Sequence, residues 1–133
     1  MDKIQKDNRQ WKEELDPEVY SVTRERGTEA PFSGKYYKHK ESGNYVCSNC
    51  GLELFSSKAK YDSGSGWPSF DDPVAKDNVD LVPDYSHGMS RMEVVCAKCD
   101  AHLGHVFDDG PQDTTGKRYC INSCSLDFKK ENK

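Results

Sequence analysis

Residues 118–122 alternate as a strand does: Tyr119 and Ile121 point to one face, Arg118, Cys120 and Asn122 to the other. Beyond Ser123 the apolar phase flips to Cys124, Leu126 and Phe128, which predicts a bend or bulge near Asn122 and Ser123. At the other end of the chain, Ile4, Trp11 and Leu15 suit one face of a short helix, with Pro17 ending or redirecting it. Residues 19–23 have strand composition, but between Glu18 and Glu25 they fit a short helix or a loop equally well. Residues 30–34 read as a turn, followed by two strands at 35–39 and 43–47 forming a hairpin around 41–44. Further strands are predicted at 52–55, 79–82, 89–96 and 105–107. The Gly/Ser-rich stretch 61–70 and the loop 108–117 interrupt them, and the charged tail from Lys129 is expected to fray. Many short strands with Gly/Pro turns predict a mainly β chain: one compact domain of antiparallel sheets with a short N-terminal helix.

Composition narrows the function classes. With 133 residues and 34% hydrophobic positions the chain can bury one modest core. A net charge of -4 gives no polycationic footprint, which disfavours nucleic acid as a partner. No apolar run approaches the roughly 18 residues of a membrane span. The first residues lack the apolar centre of a secretory signal, so a cytoplasmic setting is expected. Six cysteines in such a chain point to metal or redox chemistry rather than to a disulfide framework.

Four of them form two pairs, Cys47/Cys50 and Cys96/Cys99, each with a two-residue spacer. Such knuckles aim two sulfurs at one point, and two knuckles enclose one tetrahedral Zn²⁺. Neither pair precedes a long helical pattern, as a redox CxxC usually does. Iron also accepts four sulfurs, and His102 is an alternative ligand in the series Cys96, Cys99, His102, His105. A closed four-thiolate site leaves no position for substrate, so the chemistry has to lie elsewhere.

Cys120 and Cys124 remain. Cys120, beside a suspected bulge, is a candidate nucleophile or a small buried thiol. His102 and His105 bracket a Leu-Gly turn and titrate near neutral pH, at about 6.5 when unperturbed. Trp67, in a loop bounded by Gly66 and Pro68, either walls a pocket for an apolar or polarizable group or anchors its loop.

Taken together, the two knuckles, the stretch Ser63-Gly64-Ser65-Gly66-Trp67-Pro68-Ser69-Phe70, residues 102–111 and Arg118-Tyr119-Cys120-Ile121-Asn122-Ser123 resemble the B-type methionine sulfoxide reductases over roughly residues 15–128. The resemblance implies a β-tent-like domain of antiparallel sheets with one structural zinc and no organic cofactor, reducing the R epimer of methionine sulfoxide in peptides and proteins. It makes Cys120 the nucleophile, with His105, His102, Asn122 and Arg118 around it and Trp67 and Phe107 binding substrate. A sulfenic acid on Cys120 would be returned to the thiol by thioredoxin or another thiol. On this reading residues 1–14 are a helical extension, 15–128 the reductase domain and 129–133 a charged tail, and the protein acts as a monomer without nucleic acid or membrane. Many family members carry a second cysteine just before the Gly-Trp-Pro-Ser-Phe stretch. Gly64 and Ser65 stand there instead, leaving Cys124 as a resolving thiol or as packing. The rival reading is a zinc-stapled module that binds peptides without chemistry.

Overall fold

The computed structural model describes residues 2–131, with the side chain of His87 excluded. Helix α1 (Asn8–Glu14) is closed at its start by a reciprocal capping box between Asp7 and Gln10. Helix α2 (Pro17–Arg24) begins with its proline in the first turn, where no intrahelical N–H is needed. The expected single N-terminal helix is therefore two, and the open choice at 19–23 resolves to helix, burying Val22 and Thr23. Ile4 lies outside both helices, where its N–H donates to the Lys98 carbonyl at 2.8 Å.

Among the described residues, nine strands form two antiparallel sheets. The smaller has the order β2 (Glu53–Ser56), β1 (Gly43–Cys47), β9 (Leu126–Lys130). The larger runs β3 (Lys60–Tyr61), β4 (Ser69–Phe70), β8 (Arg118–Ile121), β7 (His102–Phe107), β6 (Arg91–Cys96), β5 (Val79–Asp84). The expected strand at 35–39 is absent, and with it the 35–47 hairpin. Both edges of β1 are already paired, with β2 and β9, so that segment closes into turns instead, with Tyr37 N–H donating to Gly34 O and His39 N–H to Tyr36 O. Its aromatics still serve the core: Tyr36 is buried and meets Tyr45 edge-on at 5.4 Å.

The core lies between the sheets. Tyr45, Leu54, Phe55, Phe70, Val94, Leu103 and Ile121 are fully enclosed, and Phe55 stacks on Phe70 at 4.4 Å between centroids. Truncating either ring to alanine would cost about 3–5 kcal/mol. The predicted bend at Asn122 and Ser123 exists and has a structural purpose. The chain leaves the larger sheet at Ile121, makes one 3₁₀ turn over Ser123–Ser125, and enters the smaller sheet at Leu126. The apolar phase flips because the strand changes sheets. At the tail, pairing with β1 extends β9 to Lys130, beyond where fraying was expected; Asn132 and Lys133 lie outside the described residues. Among the described residues no helix is long and apolar enough to cross a membrane.

Candidate active site and metal centre

The two knuckles repeat one backbone design. Cys47 ends β1 and Cys96 ends β6, and each accepts on its carbonyl from the residue four further on, Gly51 N–H at 2.8 Å and Asp100 N–H at 2.9 Å. Both of those residues take the left-handed conformation, at φ 81° and φ 63°. Glycine adopts it freely, while Asp is one of the few other residues that tolerate it. The four sulfurs converge from two different sheets to within 4.8 Å of one another, and Cys47–Cys99 and Cys50–Cys96 approach to 3.6 Å. A tetrahedron with metal–sulfur bonds of about 2.3 Å has edges of about 3.8 Å, so the cluster fits a metal ion without rearrangement. His102 is not part of it.

The second cluster of chemistry lies on the larger sheet. Cys120 sits on β8 between two register partners, His105 on β7 and Ser69 on β4, so the thiol and the His105 imidazole share one face. The close approach of the two strands is possible because Gly104 has no side chain: a Cβ there would lie 2.0 Å from the Cys120 carbonyl oxygen. They open on a cavity of about 250 Å³ whose walls include Trp67, Phe107, Arg118, Asn122, Thr28 and Ser65. A cavity of this size suits one side chain rather than a folded surface.

Histidines three apart on a regular strand would face opposite ways. Here β6 pairs Val94 with Gly104 and Val95 with His102, leaving Leu103 as an extra residue in β7. That bulge brings the two rings to one side, 5.5 Å apart. Their surroundings differ. His105 lines the cavity and its Nε2 is bound to Asp84 Oδ2 at 2.7 Å. His102 is buried behind it, its Nδ1 bound to Glu93 Oε2 at 2.6 Å, and burial lowers its pKa against the pull of Glu93. The hydrogen bond from His105, with those from Ser86, holds Asp84 well below the usual carboxylate range.

Asp84 and Glu93 are both buried, and Arg26 spans them, 3.6 Å from Asp84 and 2.8 Å from Glu93. Sequence reasoning found neither carboxylate nor the arginine. The available signal was slight: Arg91 and Glu93 alternate with apolar neighbours and so share a face of β6.

Asn122 is buried and its amide is engaged at both ends: Nδ2 donates to Leu103 O at 3.2 Å and Oδ1 accepts from Glu29 N–H at 3.2 Å. Glu29 O in turn accepts from Trp67 Nε1 at 3.1 Å. One residue of the segment after α2, unnoticed in the sequence, thus fixes two walls of the cavity. Arg118 is clamped by Asp109, at 2.8 and 3.3 Å, and lies over the Phe107 ring at 4.4 Å. Its charge reaches Cys120 only in part. Burial pushes the Cys120 thiol up, and Arg118 with the Ser65 hydroxyl offsets this incompletely.

Cys124 belongs to other surroundings. It lines a separate cavity with Glu18 and Glu29, its sulfur 3.4 Å from Glu18 Oε1 and its N–H donating to Glu29 Oε1 at 3.0 Å. It is half-buried rather than part of the core beside Leu126. Burial, together with the two carboxylates, pushes its thiol up to about 12.

Residues 15–130 match the family model described as the SelR domain. The peptide methionine sulfoxide reductase MsrB of Chromohalobacter salexigens is 58% identical over 127 residues, covering 96% of each chain. The peptide methionine sulfoxide reductase MsrB of Acinetobacter baylyi is 56% identical over 133 residues, all of this chain and 95% of that one. The chain belongs to the MsrB family of SelR-domain proteins. Its backbone also resembles the Mis18 'Yippee-like' domain, with a TM-score of 0.55 at 16% identity, covering 70% of this chain and 100% of that one. That likeness concerns the fold alone.

Proposed function

We propose that the chain reduces methionine sulfoxide to methionine, taking the R epimer in peptides and proteins, with residues 15–128 as the reductase domain between a helical extension at 1–14 and a tail at 129–133. The observation that carries this reading is the facing pair Cys120 and His105 inside a cavity walled by Trp67 and Phe107. The sulfoxide sulfur meets Cys120 Sγ, its methyl group lies on the Trp67 ring, and its oxygen faces His105. Because Nε2 of His105 is bound to Asp84, the proton leaves from Nδ1, directly or through water. Protonation turns a poor leaving oxide into a good one. In the net step the substrate S–O bond breaks and an S–O bond to Cys120 Sγ forms. The sulfoxide sulfur gains two electrons and becomes the thioether, the cysteine sulfur loses two, and the thiol proton ends on the sulfenic oxygen.

Two thiols of thioredoxin or a similar reductant then close the cycle. The first displaces water from the sulfenic acid and forms a mixed disulfide, and the second releases Cys120. Cys124 takes no part on this reading, because it opens on a different cavity and its thiol is held protonated. Mass spectrometry after one round of substrate without reductant should find sulfenic acid on Cys120. A Cys120–Cys124 disulfide, with collapse of thioredoxin-linked turnover in Cys124→Ser, would make Cys124 the resolving thiol. The four knuckle thiolates hold zinc, which supplies folding energy and no chemistry at Cys120.

The deciding experiment is a chromatographic assay on separated sulfoxide epimers. Conversion of the R form by the native chain, and none by Cys120→Ser, is expected. Comparable rates on the S form, or an active Cys120→Ser, would overturn the reading.

A further inference from the structure

Phe32 is the least economical residue in the molecule. Its side chain is 65% exposed, yet its backbone stands at φ 65°, a conformation that a bulky L-residue rarely adopts. Burial does not explain that strain. The position is nonetheless over-determined: Phe32 N–H donates to Gly66 O at 2.7 Å, and the ring meets Tyr37 edge-on at 5.2 Å. The ring also occupies the space a side chain on Gly66 would need, 3.0 Å from where its Cβ would lie. Gly66 separates Ser65 from Trp67, both of which line the cavity. An exposed aromatic face is therefore fixed one residue outside the wall built by Trp67.

The cavity accommodates a single side chain, so the main chain of a polypeptide substrate has to cross its mouth, carrying its neighbouring residues over the rim. We propose that Phe32 is a specificity-determining residue, a fixed shelf that receives an apolar side chain adjacent to the oxidised methionine. This rests on the reductase reading above and adds a sequence preference to it. The turn from Ala30 to Ser33, closed by Ser33 N–H on Ala30 O at 3.3 Å, holds the strained backbone. Strain of this kind clusters at ligand clamps and active sites, and an aromatic face locked in advance binds without the cost of ordering it.

The test compares two substrates, acetyl-Leu-Met(R-sulfoxide)-Leu-amide and acetyl-Gly-Met(R-sulfoxide)-Gly-amide, on the native chain, Phe32→Gly and Phe32→Tyr. Glycine accepts the left-handed backbone, so Phe32→Gly removes the ring while relieving the strain. Its KM for the Leu peptide should rise about fivefold, the scale of a lost aromatic contact, with kcat unchanged. The Gly peptide should change less than twofold, and Phe32→Tyr should behave as the native chain. Equal effects on both peptides would assign the ring to bracing the Trp67 wall and overturn the proposal, as would no effect on either. Failure of the native chain to reduce either peptide would instead remove the reductase reading itself.

Discussion

The knuckle sulfurs and the Cys120 sulfur share a molecule but not a logic. At the knuckles, thiols meet thiols, brought together by two copies of one local turn. Around Cys120, every neighbour is different: an imidazole opposite, a serine on the other side, a clamped guanidinium, an indole. Four like groups converging without a counter-charge call for a cation and give stability. One thiol among unlike groups gives chemistry. The difference teaches that burial alone does not sort structural from reactive cysteines; the company each keeps does.

The sharpest way to break this comparison is to remove one sulfur from each region. Cys99→Ser should abolish the cooperative fold at 25 °C, because a structural zinc contributes about 10 kcal/mol or more, comparable with the whole stability of a domain. Cys120→Ser should melt within about 3 °C of the native protein while losing sulfoxide reduction by roughly 10⁴-fold or more. Circular dichroism melts with metal analysis, beside a turnover assay, check both. A well-folded, metal-free Cys99→Ser would dissolve the distinction.

The pocket can be sharpened next through its proton path. His105→Asn should slow single-turnover reduction by about 10²-fold or more, with the metal retained. Asp84→Asn should show part of that loss, since it leaves an acceptor for Nε2 but removes the negative charge beside it. An Asp84→Asn variant with native rates would remove Asp84 from the path. His102→Asn should do the reverse. It breaks a buried pair with Glu93, costing about 3 kcal/mol in a urea melt, and should change the single-turnover rate less than tenfold. A rate loss matching His105→Asn would make His102 the acid.

The smallest effect expected is in pH. Burial raises the Cys120 thiol, so its thiolate is scarce below the usual thiol value and accumulates above it. Alkylation by iodoacetamide should therefore keep accelerating past pH about 8.5, the ordinary cysteine value. A plateau near neutrality would mean that Arg118 outweighs burial.

The two regions were also unequally legible in the sequence. The metal centre is written locally, as two short motifs, and needed only the rule that thiols converge. Cys120, Trp67 and His105 stood out because reactive or bulky residues were flanked by glycine, proline or an alternating strand. What escaped was the support. Asp84 and Glu93 look like surface charges until pairing of β5, β6 and β7 buries them, with the exposed Arg26 reaching across both. The different surroundings of His102 and His105 escaped for a related reason. Both lie on β7, and their partners, Glu93 and Asp84, and their access to the cavity separate them. The missing 35–39 strand shows the other limit: local propensity was sound, but β1, its expected partner, has both edges taken by β2 and β9.

The exchange of sheets at Ser123–Ser125 bears on how the molecule is made. Strand β9 is synthesised after the other eight described strands, yet it pairs with β1, the first of them, through contacts such as Tyr45 with Phe128. Until it arrives, β1 presents a row of unpaired amides and carbonyls along one edge. Closing so distant a pair makes the smaller sheet a late event with high contact order. Both knuckles are translated before β9, so metal capture can precede strand closure. A nascent chain already clipped at its cysteines then needs only one final strand to seal its open edge.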